Sequence, residues 1–302
     1  MTASVAVVIA TYNRPKLVLR AIESAWRQAD QVIVVNDGSS EFYDESAIKQ
    51  GRPNVSYIAL AKNSGVQVAR NAGLGAARTD LAIILDDDDE LAPDSVASAL
   101  QEIERLDGRD NYPVYNFSCS NGALKAEFCV VRHGDYLSGQ ISGDFTPIFN
   151  LSHPAIPRYP EIDLRVGLEH LLWWPLAQRY GIPSWRDIKL VTVSPDAAVR
   201  MTSPGTFAHR AADFAVMQKI TLDLMKKSGW DVDYPQSYEK RAKALLLYAL
   251  AGGDTELSKL AAGELAPLKR QFAIAATFLP SFIFRHALYW LKRITLRNTH
   301  RP

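Results

Sequence analysis

The chain has 302 residues, 47% of them hydrophobic, which is enough for one large domain or for a domain with an appendage. A formal net charge of +1 excludes the general attraction that strongly basic chains have for nucleic acid, so no nucleic-acid partner is expected. The two cysteines, Cys119 and Cys129, are too few for a disulfide scaffold and fit no metal-ligand spacing, which favours a reducing, cytoplasmic compartment.

Short apolar runs alternate with helical patterns through the first part of the chain. Strands are predicted at residues 5–10, 31–35, 54–60 and 81–85, and helices at 15–29, 64–77 and 93–106. Continuous apolar strands separated by helices predict a mostly parallel, Rossmann-like α/β sheet covered on both faces. In such sheets, ligands bind at the carboxyl ends of the strands.

The remainder is predicted to be more helical. Residues 112–132 are predicted to form strands with a turn at 120–122, followed by a helix at 165–180 and a strand at 189–193. Further helices are predicted at 208–228, 237–251, 255–264 and 268–296, the last with a kink at Pro280. The pattern predicts a catalytic domain at 1–204 and a helical C-terminal region at 205–302. No predicted signal peptide or uninterrupted membrane span is found in the sequence.

Four consecutive carboxylates, Asp86, Asp87, Asp88 and Asp89, follow the fourth predicted strand directly. Packed together they repel one another, and a cation would relieve that repulsion. Hard cations such as Mg²⁺ and Mn²⁺ prefer oxygen ligands and keep open positions for phosphate or water, so a metal site is one interpretation. The other is a solvated acidic turn that favours the start of the next helix, and spacing alone leaves both open.

Polar residues also follow the first two strands. Asp37 precedes Gly38, a pair that is common in turns, but the carboxylate is also suited to accepting an N–H from a nucleotide base at close approach. Arg70 lies within a helix of small residues, where it is either a surface charge or a phosphate contact.

These segments together resemble the family 2 inverting glycosyltransferases of the GT-A fold, over roughly residues 4–200. The resemblance is carried by four segments in order: residues 7–14, 34–40, 63–73 and 85–89. It implies that residues 1–110 bind a nucleotide-sugar and that residues 111–204 form the acceptor side.

The resemblance also implies roles for individual residues. Those implied to line the donor site are Thr11, Tyr12, Asn13, Arg14, Asp37, Gly38, Asn63, Arg70, Asp86 and Asp87. Asp37 is implied to hold the base, typically uracil. Asp88 is implied to be the metal ligand, with Asp86 as a second ligand, for Mn²⁺ or Mg²⁺; four successive aspartates leave that register open by one residue.

Two positions depart from the family pattern. The catalytic base, usually the aspartate of a Glu-Asp pair, corresponds here to Glu169 after Leu168. Glutamate can accept the proton of an attacking hydroxyl, whereas the alternative is a helix cap or a surface ion pair. His170 is a weaker candidate. Farther on, Arg200 is implied to contact phosphate, and Thr202 stands where a histidine is expected.

The C-terminal segment 268–302 combines aromatic and basic residues. Its chain from Phe272 to Phe284 carries no charge and is followed by Arg285, Lys292 and Arg293. One interpretation is an interfacial helix on an anionic membrane surface; the other is a helix packed in a core or in an oligomer interface.

The sequence therefore predicts an enzyme that transfers a sugar, with inversion, from a nucleoside diphosphate donor, most simply UDP, to a hydroxyl of a glycan or lipid-linked acceptor in envelope polysaccharide synthesis. The departure at Glu169 keeps a non-catalytic nucleotide-sugar-binding protein as the alternative. A sugar nucleotidyltransferase is disfavoured because residues 5–14 contain no glycine.

Overall fold

The computed structural model describes residues 3–119, 124, 126–141, 145–164, 166–193 and 204–299. The chain divides into two compact units, Met1–Asp163 with Leu172–Ala197 and Leu164–Leu171 with Ala198–Pro302. The inclusion of Leu164–Leu171 in the second unit was not predicted from the sequence pattern.

The first unit is built on one mixed sheet. Its strands are β1 (Val5–Thr11), β2 (Gln31–Asn36), β3 (Val55–Ala59), β4 (Leu81–Asp86), β5 (Glu90–Leu91), β6 (Val114–Cys119), β7 (Phe128–Val131), β8 (Phe145–Asn150) and β9 (Ile182–Thr192). Their order is β3-β2-β1-β4-β8-β6-β9-β5, and β7 pairs with β9. The four strands β3, β2, β1 and β4 are parallel, as the apolar runs predict.

Helices cover this sheet. They are α1 (Leu17–Ala25), α2 (Glu45–Lys49), α3 (Val66–Ala76), α4 (Ser95–Arg105), α5 (His133–Leu137) and α6 (His170–Arg179), whose first two residues belong to the second unit. Alternate residues of β1 enter different cores: Val7 and Ile9 face the core that contains α1, whereas Ala6 and Val8 face the core that contains α3. Burial on both faces explains why the strands are apolar throughout.

The second half of the sheet differs from the prediction. Strand β8 was not predicted, because Pro147 lies within it and proline is rare in central strands. The pairing of β8 with β4 covers only Ile148, Phe149 and Asn150, so Pro147 lies beyond the end of that ladder. Proline is tolerated there because no N–H is needed on that side.

The predicted turn at residues 120–122 lies outside the described residues, but its two strands are not neighbours. Strand β6 pairs with β8 and β9, and β7 runs antiparallel to β9. β9 is also longer than the predicted strand at 189–193, spanning Ile182–Thr192. Its length provides partners for both β6 and β7, so pairing between distant segments replaces the local hairpin.

The second unit is helical. After residues 164–171 its helices are α7 (Pro204–His209), α8 (Ala211–Lys227), α9 (Trp230–Asp233), α10 (Pro235–Gly252), α11 (Thr255–Gly263), α12 (Pro267–Ala276) and α13 (Ser281–Thr299). Helix α10 packs against α8, α11 and α13. The predicted helix at 268–296 is interrupted near Pro280, which confirms the kink, and the two parts are bent by 117°.

In the described part of the chain, no single helix combines the length and the apolar character of a membrane span. The bent pair Lys269–Ala276 and Ser281–Arg293 has that length and composition only when its two helices are taken together.

Candidate functional site

The parallel strands bring the predicted donor-site segments to one edge of the sheet. In the register of the ladder, Thr11 at the end of β1 lies beside Asn36 at the end of β2. Ala10 lies beside Asp86 at the end of β4. The polar loops that follow these three strands are therefore neighbours, as their positions after parallel strands predict.

A buried polar network connects the end of β1 with the acidic run. The Thr11 hydroxyl donates to Asp87 Oδ2 at 2.7 Å and also lies 2.8 Å from the Tyr43 hydroxyl. Arg14 donates to Asp87 Oδ1 at 2.9 Å, and its backbone N–H donates to the Tyr43 hydroxyl at 2.8 Å. Burial raises the pKa of the Asp87 carboxyl to about 6, although the hydrogen bonds from Thr11 and Arg14 act in the opposite direction.

Asp87 thus differs from its neighbours in the run. Its carboxylate is buried, and both of its oxygens already accept hydrogen bonds, one from Thr11 and one from Arg14. The predicted contact of Asp87 with a donor stays a prediction. Tyr43 was not identified from the sequence, because it lies in the loop after β2 outside every recognised segment. Its ring stacks on Tyr57 with centroids 6.4 Å apart, which fixes the hydroxyl between Thr11 and Arg14.

Asn13 ties the loop after β1 to the loop after β2. Its backbone has a positive φ of 51°, which asparagine adopts more readily than most residues. Its side-chain oxygen accepts from the backbone N–H groups of Ser40 and Glu41, and its own N–H donates to Ser39. Neighbouring Tyr12 is 42% exposed and is thus available to a ligand.

The loop after β2 is also joined to the start of α3. The buried Asp37 accepts the backbone N–H groups of Ser64 at 2.7 Å and Gly65 at 2.8 Å, where the positive end of the helix dipole favours a carboxylate. A Cβ on Gly38 would lie 2.2 Å from the carbonyl carbon of Lys62 and 2.5 Å from the nitrogen of Asn63. The glycine thus allows a close backbone approach, while the predicted contact of Asp37 with a base remains a prediction.

Arg70 projects from α3 to the acidic run. Its guanidinium donates to Asp86 Oδ1 at 2.6 Å and lies 5.3 Å from the centre of the Tyr159 ring. The adjacent Asn71 holds the Tyr159 backbone through its side-chain amide, with both bonds at 2.9 Å. Tyr159 was not predicted, since a tyrosine in a proline-rich segment carries no motif.

Asp86, Asp88 and Asp89 form the remaining acidic group. Each offers one carboxylate oxygen, and these oxygens lie within 4.8 Å of one another. Arg14 lies 3.2 Å from Asp88 and Arg70 lies 2.6 Å from Asp86, so guanidinium groups offset negative charge at two of these carboxylates. Three clustered carboxylates fit the hard-oxygen preference of Mn²⁺ or Mg²⁺. The predicted ligands Asp88 and Asp86 both belong to this group, and Asp89 is an additional candidate.

Glu169 belongs to the second unit and directly precedes α6. The side chain is half-buried, and its carboxylate lies against the backbone of Gly167, where an added Cβ would be 2.8 Å from Glu169 Oε2. Its role as a base stays a prediction.

His170, the weaker candidate for the base, forms a hydrogen bond with Thr221 of α8. Its Nε2 lies 2.7 Å from the Thr221 hydroxyl, and that hydroxyl donates to the Met217 carbonyl. Nε2 is therefore the donor, and burial lowers the pKa of His170 to about 3. Arg200 and Thr202 lie outside the described residues.

Comparisons with known proteins find a family match in the first part of the chain. Residues 6–122 match the sequence model of the family described as Glycosyl transferase family 2. The succinoglycan biosynthesis protein ExoO of Rhizobium meliloti is 41% identical over 103 residues, which are 33% of this chain and 29% of that protein. The chain spans 39% and 16% of the length of two further curated relatives.

Other comparisons extend over more of the chain. A GalNAc(5)-diNAcBac-PP-undecaprenol beta-1,3-glucosyltransferase of Campylobacter jejuni is 26% identical over 260 residues, or 80% of this chain and 82% of that protein. The crystal structure of S. aureus TarS 1–349 in complex with UDP-GlcNAc has a TM-score of 0.55 at 15% identity, covering 97% of this chain and 92% of that chain. Residues 6–122 are therefore similar to the Glycosyl transferase family 2 sequence model, and the fold is that of the GT-A glycosyltransferases.

Proposed function

We propose that this chain is a glycosyltransferase that transfers a sugar from a nucleoside diphosphate donor to a hydroxyl group. The observation that carries the proposal is the edge of the sheet at which Asp86, Asp88 and Asp89 cluster beside Arg14 and Arg70. Carboxylates suited to a divalent cation, next to guanidinium groups suited to phosphate, form a combination that a sugar diphosphate requires.

The proposed donor site would have one end that binds the nucleotide base and another that binds the diphosphate. The loop that contains Asp37 and the exposed ring of Tyr12 would hold the base, and Arg14 and Arg70 would contact the diphosphate. Mn²⁺ or Mg²⁺ held by Asp86 and Asp88 would offset the negative charge that develops on the leaving diphosphate. UDP-sugars are the first donors to test, since the S. aureus TarS structure is a complex with UDP-GlcNAc.

Glu169 is the proposed base. It would accept the proton of the acceptor hydroxyl as that oxygen attacks the anomeric carbon on the face opposite the diphosphate, which inverts the configuration. The acceptor is proposed to be a glycan or a lipid-linked glycan of envelope polysaccharide synthesis. This class is suggested by relatives named for succinoglycan biosynthesis and for glucosyl transfer to a GalNAc(5)-diNAcBac-PP-undecaprenol.

Donor binding tests the proposal most directly. Calorimetric titration of the chain with UDP-, GDP- and dTDP-sugars, with Mn²⁺ or with a chelator, should give metal-dependent binding of at least one sugar nucleotide. We expect Asp86→Asn and Asp88→Asn to weaken that binding by more than about tenfold, since charge-assisted contacts contribute about 1.5–3 kcal/mol each. Asp110→Asn is the matched control, because its side chain is 91% exposed and lies in another part of the unit. Absence of metal-dependent binding for every sugar nucleotide would contradict the proposal.

The role of Glu169 is tested separately by donor turnover. Glu169→Gln keeps the size of the side chain but removes the base, so donor hydrolysis should fall about 10²-fold or more while donor affinity stays unchanged. Glu256→Gln is the control, since this side chain is 87% exposed in the same unit. Normal turnover in Glu169→Gln would show that another residue is the base. Donor binding without turnover in the native chain would favour a non-catalytic nucleotide-sugar-binding protein.

A further inference from the structure

The bend between α12 and α13 carries a concentration of exposed apolar side chains. Sixteen large apolar side chains are exposed among the described residues, and eight of them lie between Phe272 and Leu291. We call residues 272–283 the apex. Its exposed members are Phe272, Ile274, Phe278, Leu279, Phe282 and Ile283. Phe278 is 83% exposed and Phe272 is 77% exposed, which is costly for phenylalanine in water.

Other side chains of α12 and α13 are packed, so the exposure is confined to part of this helix pair. Leu288 of α13 is fully buried, and Ala273 of α12 is 4% exposed. Lys292 lies with its Nζ 4.1 Å from the centre of the Phe207 ring of α7, and burial lowers the pKa of this lysine. Both helices therefore pack within the second unit through Ala273, Leu288 and Lys292, while the large apolar side chains of the apex are exposed.

An open groove adjoins the apex between α7 and α13. It has a volume of about 690 Å³ and is lined by Ala208, Phe282, Ile283, Arg285, His286 and Tyr289. Phe282 and Ile283 belong both to the groove and to the apex. The exposed apolar surface thus continues from the bend to a cationic side chain, Arg285.

The charge of this segment is of one sign. Residues 265–302 contain seven Lys and Arg residues and no Asp or Glu. No charged residue interrupts residues 272–284, and cations flank the apolar apex on both sides: Arg270 before it and Arg285 after it, whereas Lys269 is paired with Glu239 of α10. Farther along α13, Arg293 lies 4.9 Å from the centre of the Trp290 ring, and Trp290 is 44% exposed.

From these features we propose that the apex docks on an anionic lipid bilayer. Apolar side chains at the bend would enter the boundary between headgroups and acyl chains, and the flanking cations would contact lipid phosphates. Tryptophan is favoured at that depth because its ring is apolar and its N–H is polar. A second copy of the chain is a poorer partner, since it would bring another all-basic segment against the first.

This inference goes beyond the proposed sugar transfer and does not depend on it. Sedimentation of the full chain with vesicles tests it directly. We expect the chain to bind vesicles that contain phosphatidylglycerol and to bind pure phosphatidylcholine vesicles much more weakly. Added salt should weaken the binding to anionic vesicles, because the phosphate contacts are screened.

A double variant, Phe278→Ser with Phe282→Ser, should lower the affinity for anionic vesicles by more than about tenfold, because two large apolar groups no longer enter the bilayer. Phe42→Ser is a matched control, since Phe42 and Phe278 are both 83% exposed and Phe42 belongs to the other unit. Circular dichroism should give the same melting temperature for the double variant and the native chain, because the replaced rings are exposed.

Three results would overturn the proposal. The first is that the native chain does not sediment with anionic vesicles. The second is that the double variant binds these vesicles as tightly as Phe42→Ser does. The third is that light scattering finds a native dimer that the double variant converts to a monomer, which would make the apex an interface between copies of the chain.

Discussion

Asp37 and Gly38 show how two loops at the edge of the sheet become a single structure. The Asp37 carboxylate accepts N–H groups from Ser64 and Gly65, and the Gly38 backbone lies against Lys62 and Asn63. The Asp37 carboxylate places a negative charge at the positive end of the α3 helix dipole. The close approach at Gly38 is possible only because glycine has no side chain. Neighbouring residues therefore hold the same two loops together by different physical means.

Gly38→Ala should separate these effects when it is compared with Gly51→Ala. Both glycines have positive φ, 61° and 71°, but a Cβ on Gly51 would meet no atom within 4 Å. Gly51→Ala should therefore lower the free energy of unfolding by about 1–2 kcal/mol, the cost of a left-handed backbone conformation for a residue with a Cβ. Gly38→Ala should cost about 1–3 kcal/mol more, because the new methyl group displaces the Lys62 backbone.

Chemical denaturation measures both values, and titration with the sugar nucleotide gives a second comparison. Displacement of Lys62 should also disturb Asn63 and Ser64, so Gly38→Ala should weaken donor binding whereas Gly51→Ala should not. Equal losses of stability in the two variants would show that the loops do not depend on the close approach at Gly38.

At the scale of elements, α3 is the helix that carries Arg70 to the acidic run. Its distance from the sheet is set at Gly73, where a Cβ would lie 2.2 Å from Val8 Cγ1 of β1. Glycine lowers helix stability by about 1 kcal/mol relative to alanine, so its presence within a helix needs another reason. Close packing on β1 provides that reason, and it fixes the position from which Arg70 donates to Asp86.

Gly73 and Gly75 of α3 form a matched pair for a test. Gly73→Ala should destabilise the fold by about 1–3 kcal/mol through overpacking against Val8. Gly75 is exposed, and a Cβ added to it would have Arg158 Nη1, at 3.8 Å, as its nearest neighbour. Gly75→Ala should therefore stabilise the chain by about 0.5–1 kcal/mol. Thermal unfolding of both variants checks the opposite signs, and a stabilising Gly73→Ala would disprove the close packing.

The sequence predicts those elements whose residues carry a local signal. The apolar runs of β1, β2 and β4 are buried on both faces, so their pattern predicted the parallel half of the sheet and the convergence of its polar ends. Strand β8 and the pairing of β7 with β9 depend on contacts between distant segments, which no local pattern records.

The same distinction applies within the site. The acidic run was recognisable, but the separation of Asp87 from Asp86, Asp88 and Asp89 was not, because it depends on the buried hydroxyl of Tyr43 and the side chains of Thr11 and Arg14. Tyr43 acts through its hydroxyl and Tyr159 through its ring and backbone, and both lie outside the recognised segments. Motifs therefore predicted which residues gather at the edge, and the surrounding contacts determine how each one is held.

At the scale of the whole molecule, the described residues assigned to the donor site, from Thr11 to Asp89, all belong to the first unit, whereas Glu169 belongs to the second. The family match covers residues 6–122, which include the donor-site residues but not Glu169. The proposed enzyme would therefore combine a donor site within the family segment with a base from outside it. This division would make donor binding and turnover separable properties of the proposed enzyme.

Amide hydrogen exchange of the full chain with Mn²⁺ should resolve the two ends of the donor site. If the proposed donor site is correct, UDP should slow exchange in three loops, those after β1, β2 and β4, because it would contact both the Asp37 end and the Asp86 end. Binding at one hundred times the dissociation constant contributes about 2.7 kcal/mol, which would slow exchange by up to about a hundredfold. Uridine at matched saturation lacks the diphosphate, so it should protect the loop after β2 but not residues 86–89. Asp86→Asn should remove the difference between the two ligands, and equal protection of residues 86–89 by uridine and UDP in the native chain would contradict the assignment of the acidic run to the diphosphate.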